Sequence, residues 1–573
     1  MAFDGLTTYV IANELQDLAG ARIDKIFQPN KNEILLGLYL DGNNYALNIN
    51  IDSANYRLNL TTHSKSNPQV APNFCMLLRK HLLGLQLKNV VTFGLERLVI
   101  LDIEGFDNFE DIVSKKLIIE LMGKHSNIIL TDESNLIIDS LRHIKVDDDT
   151  NRNILPHTKY QLPKTEKKDF LSINSFEDFD NKLGVYTREN LAKSICDTFN
   201  GLSTMFVKNL EILALKDNID LKSAVKYIYC KIKDIINNPY NSYFETIENT
   251  IRNKIKKDYV LQLGNTPSKS YSLNFFIDDF YYKKESGEAF KNYRDTTLKL
   301  ILNVLKKYNT RLANMDSKLK ECENMEIYKL YGELITTNLY RIENKNLKFV
   351  ELENYYDNNK IIKIPLDPKY LPSINAKRYY KKYNKLKNTL EIVGHQKEDT
   401  IKEIDYIESI IYELEASSSL EDVAQVFEEI SESDIFKDYI SKKQNKNKVR
   451  KSKLTKNKEV SFNPIKYTLD GYTIFVGRNN RENDYLTLKF ANKNDLWFHT
   501  KDVHGSHVIL KLQDNLQPTE DIIYKCAEFA SKHSKAQNSS NVPVDYCFVK
   551  YVKKPNGAKP GMVIYTNYKT IYI

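Results

Sequence analysis

The sequence predicts a multidomain α+β protein. It has a mixed α/β N-terminal domain, a helix-hairpin-helix region, a long antiparallel coiled-coil stalk and a small α+β C-terminal module. Three observations carry that prediction. Short apolar runs separated by two amphipathic helices fill the chain as far as Pro163. Two heptad-spaced arms flank a strand-like pair in the middle, and a last block of short strands and one helix follows a basic run. With 573 residues, 42% hydrophobic and 28% charged, there is apolar material for several packed cores. No run of about 18 apolar residues is present to span a membrane.

The first domain is placed at residues 1–170. Leu6, Val10, Ile11, Leu15 and Leu18 recur at helical spacing. Strand-like runs follow at Ile34 to Leu40, Tyr45 to Ile49 and Tyr56 to Leu60. Pro72 opens a helix to Leu83. The runs Arg97 to Ile103, Lys116 to Leu121 and Asn127 to Thr131 complete an antiparallel sheet. Residues 171–280 read as helical. Thr187 to Phe199 and Thr204 to Leu215 are joined at Asn200-Gly201-Leu202-Ser203, where Gly201 ends one helix and Ser203 caps the next. Such hairpins grip phosphates through turn amides, although many bind nothing.

The stalk is placed at residues 281–435. Leu298, Ile301, Leu305, Tyr308, Leu312, Met315, Leu319 and Cys322 alternate steps of three and four. Leu386, Leu390, Val393, Lys397, Thr400, Ile404, Ile407, Ile411 and Leu414 do the same. Between the arms, Leu347 to Leu352 and Ile361 to Ile364 read as a hairpin around Asp357-Asn358-Asn359. An arm of some forty residues reaches roughly 60 Å; a parallel dimer is the competing arrangement. Residues 436–460 form a linker in which Lys442 to Lys458 holds nine Lys or Arg and no acid. Since the net charge is +8, the rest of the chain is close to neutral. Such a run either contacts phosphates without reading sequence or is a solvated tether. In the last module, residues 461–573, Tyr472 to Gly477, Tyr485 to Phe490, Tyr546 to Lys550 and Met562 to Thr566 read as strands, with a helix from Thr519 to Ser534.

Chemistry-bearing residues cluster in two places. In the C-terminal module, Trp497, His499, His504 and His507 surround Lys501, with Arg478 and Arg481 upstream. Aromatic and His side chains beside cations stack on bases and hold phosphate; packing of Trp497 and Phe498 is the alternative. In the first domain Arg97 meets a phosphate or base while Asp4 and Glu96 accept from ribose hydroxyls or an ammonium, or else Glu96-Arg97 is an exposed pair of little consequence. Arg79, Lys80, Lys124 and His125 add basic loops. The six cysteines form no C-x-x-C pair, so neither a disulfide framework nor a zinc site is expected, and the three His are not read as a metal centre. Phosphate-loop, dinucleotide, zincin and hydrolase-elbow signatures are absent from the sequence, which argues against an NTPase, a dehydrogenase, a zincin and an α/β-hydrolase without excluding every enzyme; no cofactor is expected. Met1 to Gly5 shows neither a basic nor an apolar leader region, and no secretory signal is expected.

Several longer stretches resemble the NFACT family: Phe3-Asp4-Gly5, Phe74 to His81, Leu121 to Leu130, Asn375 to Tyr379, Asp495 to His499, Gly505-Ser506-His507 and Lys554 to Met562. The resemblance runs along the whole chain in the family's order: NFACT-N domain, helix-hairpin-helix, coiled coil and NFACT-R RNA-binding domain. It implies a cytoplasmic, ribosome-associated quality control factor. Such factors bind large ribosomal subunits obstructed by peptidyl-tRNA, recruit alanyl-tRNA and promote untemplated C-terminal alanine tails; the ribosome forms each peptide bond. The family's acid–Arg pair maps onto Glu96-Arg97 and its early Asp onto Asp4, with Glu here where Asp is usual. The NFACT-N domain also resembles the N-terminal domain of formamidopyrimidine-DNA glycosylases. Ala2 replaces their nucleophilic Pro and their zinc finger is missing from the sequence, so glycosylase activity is not expected. The alternative function is a fibronectin-binding surface adhesin.

Overall fold

Alternation of apolar side chains builds the N-terminal sheet. In β2 (Glu33–Leu40) the residues Ile34, Leu36 and Leu38 are all buried while Leu35, Gly37 and Tyr39 between and after them are more exposed, the period-two pattern of a half-buried strand. The computed structural model describes residues 3–106, 111–145, 152–215, 220–251, 254–263, 272–342, 346–437, 439–440, 462–512 and 518–573. The basic run Lys442 to Lys458 lies outside the described residues. The chain divides into two compact units, Met1–Ser286 and Gly287–Ile573.

In the first unit, α1 (Gly5–Leu15) precedes β1 (Arg22–Asn30), β2, β3 (Asn43–Asn50), β4 (Arg57–Leu60), α2 (Asn73–Leu82), β5 (Gln86–Thr92), β6 (Leu98–Phe106), β7 (Ile112–Glu120), β8 (Asn127–Asp132) and β9 (Ile137–Ser140). The nine strands form one sheet in the order β4-β3-β2-β1-β5-β6-β7-β8-β9, with every neighbouring pair antiparallel. The segment after β9 reaches back to the β1–β2 turn and the end of β3. Arg142, just past β9, donates to Asn32 Oδ1 at 2.9 Å and to the Ile51 carbonyl at 3.1 Å. Helices α3 (Phe176–Leu183), α4 (Leu191–Thr198), α5 (Thr204–Leu215) and α6 (Leu221–Asn237) follow, then a hairpin of β10 (Ser242–Ile251) and β11 (Lys254–Leu263). That hairpin corrects the helical reading of the region. Phe244, Tyr259, Val260 and Leu261 anchor it in the same core as α1, α2 and α6. Its alternation is hard to see in sequence because charged residues interrupt it.

A 50-residue helix, α7 (Leu273–Cys322), begins in the first unit and continues into the second. There α8 (Met325–Thr337), β12 (Phe349–Asn354), β13 (Lys360–Pro365), α9 (Pro372–Ala416) and α10 (Leu420–Glu432) follow. The two long helices run antiparallel. Leu300, Ile301 and Val304 share a core with Tyr406 to Leu414, Arg311 lies 3.9 Å from Glu403, and Asp316 lies 2.7 Å from Lys397. Residue numbers thus rise along one arm as they fall along the other. The turn between β12 and β13 places Asn358 and Asn359 at φ +47° and +57°, values Asn adopts readily.

The C-terminal module has strands β14 (Ile465–Leu469), β15 (Tyr472–Val476), β16 (Leu496–Thr500), β17 (Val508–Lys511), β18 (Pro543–Phe548) and, after a two-stranded pairing of β19 (Val552–Lys553) with β20 (Ile564–Tyr565), β21 (Lys569–Tyr572). The main sheet order is β14-β15-β17-β16-β18-β21. A short helix α11 (Asn480–Tyr485) precedes β16, and helix α12 (Glu520–Lys532) covers one sheet face with Cys526, Ala527 and Ala530. The expected strand from Tyr485 to Phe490 is instead a π-helical turn continuing α11, with the Ala491 amide bonded to the Leu486 carbonyl at 2.9 Å. Asn479 nucleates this helix by accepting from the Glu482 amide at 2.9 Å. No helix among the described residues is long and apolar enough to cross a membrane.

Candidate nucleic-acid interface

The Arg97 region is assembled from three distant stretches that approach closely. Asp4 caps α1: Oδ1 accepts from the Thr7 amide at 2.9 Å, and Oδ2 accepts from the Ser203 amide at 3.1 Å. The Leu6 amide donates to the Gly201 carbonyl at 2.9 Å. A Cβ on Gly5 would stand 1.8 Å from the Leu95 carbonyl oxygen, and one on Gly201 would stand 2.2 Å from the same atom; Gly201 also has φ +76°. Glycine at both positions is therefore what lets α1, the α4–α5 turn and the strand entry at Leu95 touch. Asn200 in that turn donates to Glu96 Oε1 at 3.0 Å.

These contacts leave Arg97 facing a polar cleft of about 390 Å³, lined by Glu96, Thr165, Lys167, Asn200, Ser203 and Thr204 among others. Its half-buried guanidinium makes one side-chain hydrogen bond among the described residues, to Tyr56 Oη at 3.3 Å. Burial pushes the Tyr56 phenol up, partly offset by Arg97, so that oxygen stays protonated and acts as a neutral acceptor. Lys167 is turned to the Cys196 carbonyl at 2.6 Å, and Ser203 Oγ caps α5 through the Phe206 amide at 3.3 Å. The arrangement offers a cation, a helix start and hydroxyls to an anionic or hydroxyl-rich ligand.

Asp4 is placed differently from its expected ligand role. Both carboxylate oxygens are taken by backbone amides, and burial raises its carboxyl against those bonds. It positions the turn rather than meeting ribose. Lys124 and His125 are exposed on the turn Gly123–His125. They lie at the same end of the sheet as Arg97, because the Leu121 amide donates to the Arg97 carbonyl at 2.8 Å. Arg142, unremarked in sequence, holds that turn through the Lys124 and Ser126 carbonyls at 3.2 and 3.0 Å. Arg79 is turned inward, with Nε on the Ile26 carbonyl at 2.8 Å, while Lys80 on α2 is exposed.

The C-terminal cluster is rearranged more thoroughly. Trp497 is 0% exposed, packed in a core with Ile509 and Cys547, so it cannot stack on a base. His507 is buried with Nδ1 2.7 Å from Thr487 Oγ1. Burial lowers His499 to about 4 and His507 to about 3, so neither carries positive charge toward a phosphate at neutral pH. Arg478 faces Asp422 at 3.6 Å, Arg481 pairs with Glu428 and Glu432, and His504 lies 3.5 Å from Asp405. Arg478 and Arg481 are matched to acids of α10 and His504 faces an acid of α9, correcting their expected RNA-facing placement. The physical reason is that an Arg or His reads identically in sequence whether solvent or a carboxylate lies opposite. Among the described residues no group of three or more His, Cys, Asp or Glu is placed to hold a metal ion.

One basic surface went unsingled in sequence. At the start of α9, Lys377, Arg378, Lys381, Lys382, Lys385 and Lys387 are all exposed, and no acid occurs from 375 to 390. Tyrosines interleave them: Lys382 Nζ lies 4.0 Å from the Tyr328 ring centroid and Arg378 lies 4.4 Å from that of Tyr370.

Residues 4–453 match the family model described as NFACT N-terminal and middle domains, and residues 460–567 match the NFACT protein RNA binding domain. The chain belongs to the NFACT family. Over 583 aligned residues it is 35% identical to the Rqc2 homolog RqcH of Bacillus subtilis, covering 100% of this chain and 98% of that one. It is 32% identical over 587 residues to the Rqc2 homolog RqcH of Streptococcus suis, with the same coverage. Among solved structures, the N-terminal part of the fibronectin/fibrinogen-binding protein from Streptococcus suis is 27% identical, covering 49% of this chain and 99% of that one at a TM-score of 0.39. Membership of the NFACT family, with RqcH relatives along the full length, carries a role in ribosome quality control.

Proposed function

We propose that this NFACT chain acts on large ribosomal subunits obstructed by peptidyl-tRNA, where it holds a charged tRNA, alanyl-tRNA, for untemplated alanine tailing of the stalled chain. The observation that carries this reading is the Arg97 cleft: a guanidinium whose one side-chain hydrogen-bond partner among the described residues is neutral, beside a helix start and a turn pinned by Asp4 and Gly201. Lys124 and His125 share that end of the sheet; Lys124 adds a cation and His125 a ring nitrogen for a nucleic acid. The basic, tyrosine-interleaved start of α9 supplies phosphate contacts of the sequence-independent kind, suited to ribosomal RNA. Peptide bonds are made by the ribosome, and the protein positions substrates. It works in the cytoplasm, on the ribosome, without a cofactor.

The test is Arg97→Ala. Alanine-tail formation and tRNA co-purification fall at least tenfold, while the melting temperature falls by only about 1–6 °C, because removing a half-exposed side chain with one hydrogen bond costs about 0.5–1.5 kcal/mol. Undiminished tails in that variant would refute the reading. Sequencing the RNA that co-purifies with the unaltered protein identifies the tRNA.

A further inference from the structure

We infer that the C-terminal module binds single-stranded RNA on a surface other than its histidine cluster, formed by Tyr485, Lys489, Lys493, Phe548, Lys550 and Tyr551. The inference rests on the RNA reading above and assigns where in this module the RNA lies.

Three observations converge on this surface. The first is unneutralised charge. Lys511 and Lys554 nearby are paired with Asp495 and Asp484, whereas Lys489, Lys493 and Lys550 have no carboxylate partner among the described residues. No acid occurs in 485–494 or in 546–562. The second is exposed ring surface. Phe548 is 39% and Tyr485 44% exposed, whereas Trp497 and Phe498 of the same module are fully buried. The third is that rings and cations are interleaved at contact distance. Lys550 Nζ lies 5.1 Å from both the Phe548 and the Tyr551 ring centroids, and Lys489 Nζ lies 5.8 Å from that of Tyr485. The Lys550 amide donates to the Lys493 carbonyl at 3.1 Å, which brings together the segments holding those two lysines. The π-helical turn explains the aim of Lys489. The extra residue in the turn buries Leu486 and Thr487 and leaves Leu488 and Lys489 exposed, the kind of local distortion that recurs at functional sites.

Flat rings flanked by free ammonium groups fit unpaired nucleotides. Each ring stacks on a base face while the lysines follow the phosphates. A duplex, whose bases are already stacked on one another, offers only its phosphates to the same surface.

The experiment uses the full-length protein and a fluorescent 12-residue oligouridylate. It compares K489Q/K493Q/K550Q, Phe548→Ser, and a control of equal charge change on α12 and the turn after it, K525Q/K532Q/K535Q. The triple variant weakens binding at least tenfold and makes the plot of log affinity against log salt shallower by about 2, from three phosphates at roughly 0.7 each. Phe548→Ser weakens it roughly 5- to 150-fold, the range for one lost base stack. A 4-thiouridine oligomer crosslinks to the peptide holding Phe548 and Tyr551. Parent-like affinity in both surface variants overturns the inference, and so does an equal loss in the control or crosslinks confined to other peptides. Cosedimentation of the unaltered protein with large ribosomal subunits is read separately. Lost cosedimentation with intact oligonucleotide behaviour sinks the ribosome reading and leaves this surface standing. The reverse result sinks the surface alone.

Discussion

Asp4 joins two parts of the chain 199 residues apart, closing the first turn of α1 with one oxygen and holding the Ser203 amide with the other. Asp4→Ala removes a helix cap, worth about 0.5–2 kcal/mol, and leaves the Ser203 amide without its acceptor. The variant loses about 2 kcal/mol in urea unfolding of the N-terminal unit, and its tRNA binding falls as the Arg97 cleft loosens. Asn at the same position caps as well as Asp, so Asp4→Asn recovers the capping part of that loss, while its amide nitrogen cannot accept from the Ser203 amide. Gly201→Ala meets both a left-handed φ and the Leu95 carbonyl at 2.2 Å. It costs about 2–4 kcal/mol by the same measurement. Sequence placed Glu96-Arg97 correctly at the entry to a strand, because Gly94 and the apolar run after it are local signals. It could not place Trp497, His507 or Arg481, because burial and pairing depend on what the rest of the chain brings opposite them.

Among the elements, long-period patterns were the most legible. The heptads gave both arms of the antiparallel pair, and the two polar interruptions resolve into local solutions. Lys397 pairs with Asp316, and Thr400 Oγ1 donates to the Gln396 carbonyl at 2.8 Å while touching Met315. Strand β1 was missed because a register shift between Ile23 and Lys25 breaks its alternation, and β10 and β11 because charged residues obscure theirs. The meeting of α9 with α10 was also unreadable. There Glu413 and Glu429 are both buried, Glu429 accepts from Tyr406 Oη at 2.8 Å, and neither Glu413 oxygen has a hydrogen-bond partner among the described residues. Burial raises both acids above the usual range; the Glu429 carboxylate adds to the rise at Glu413, while hydrogen bonds from Tyr406 and Asn480 partly offset it at Glu429. An acid with a raised pKa holds its proton more tightly in the folded state, so stability falls as pH rises from the ordinary carboxylate value through the raised one. The melting temperature of the C-terminal unit therefore declines as pH rises above the ordinary carboxylate range. Glu413→Gln, which stays neutral, flattens that decline and melts several degrees higher at pH 8, at roughly 2–4 °C per kcal/mol. A parallel decline in both proteins, followed by differential scanning calorimetry, would count against a buried titrating pair.

Across the whole molecule, charge is concentrated rather than spread. The run from Lys442 to Lys458 holds nine positive residues, and the start of α9 holds six in eleven residues with no acid between them, against a net charge of only +8. Association with a polyanion is then governed by a few local patches, each releasing counterions from the phosphates it meets. Replacing 442–458 with a Gly/Ser segment of equal length removes nine charges without altering any described contact. If every one meets a phosphate, the slope of log affinity against log salt becomes shallower by about 6, at roughly 0.7 per contact; a tether that is merely solvated leaves the slope unchanged. Cosedimentation with large ribosomal subunits between 50 and 200 mM potassium chloride reads the difference. The phosphate-contact reading requires at least half of that change, with the melting temperature unaltered. Neutralising Lys381, Lys382, Lys385 and Lys387 with Gln in the parent background gives an independent decrement of up to about 3 by the same arithmetic. The two decrements add, because separate patches release separate counterions. A combined variant no worse than either alone would mean that both patches compete for the same phosphates.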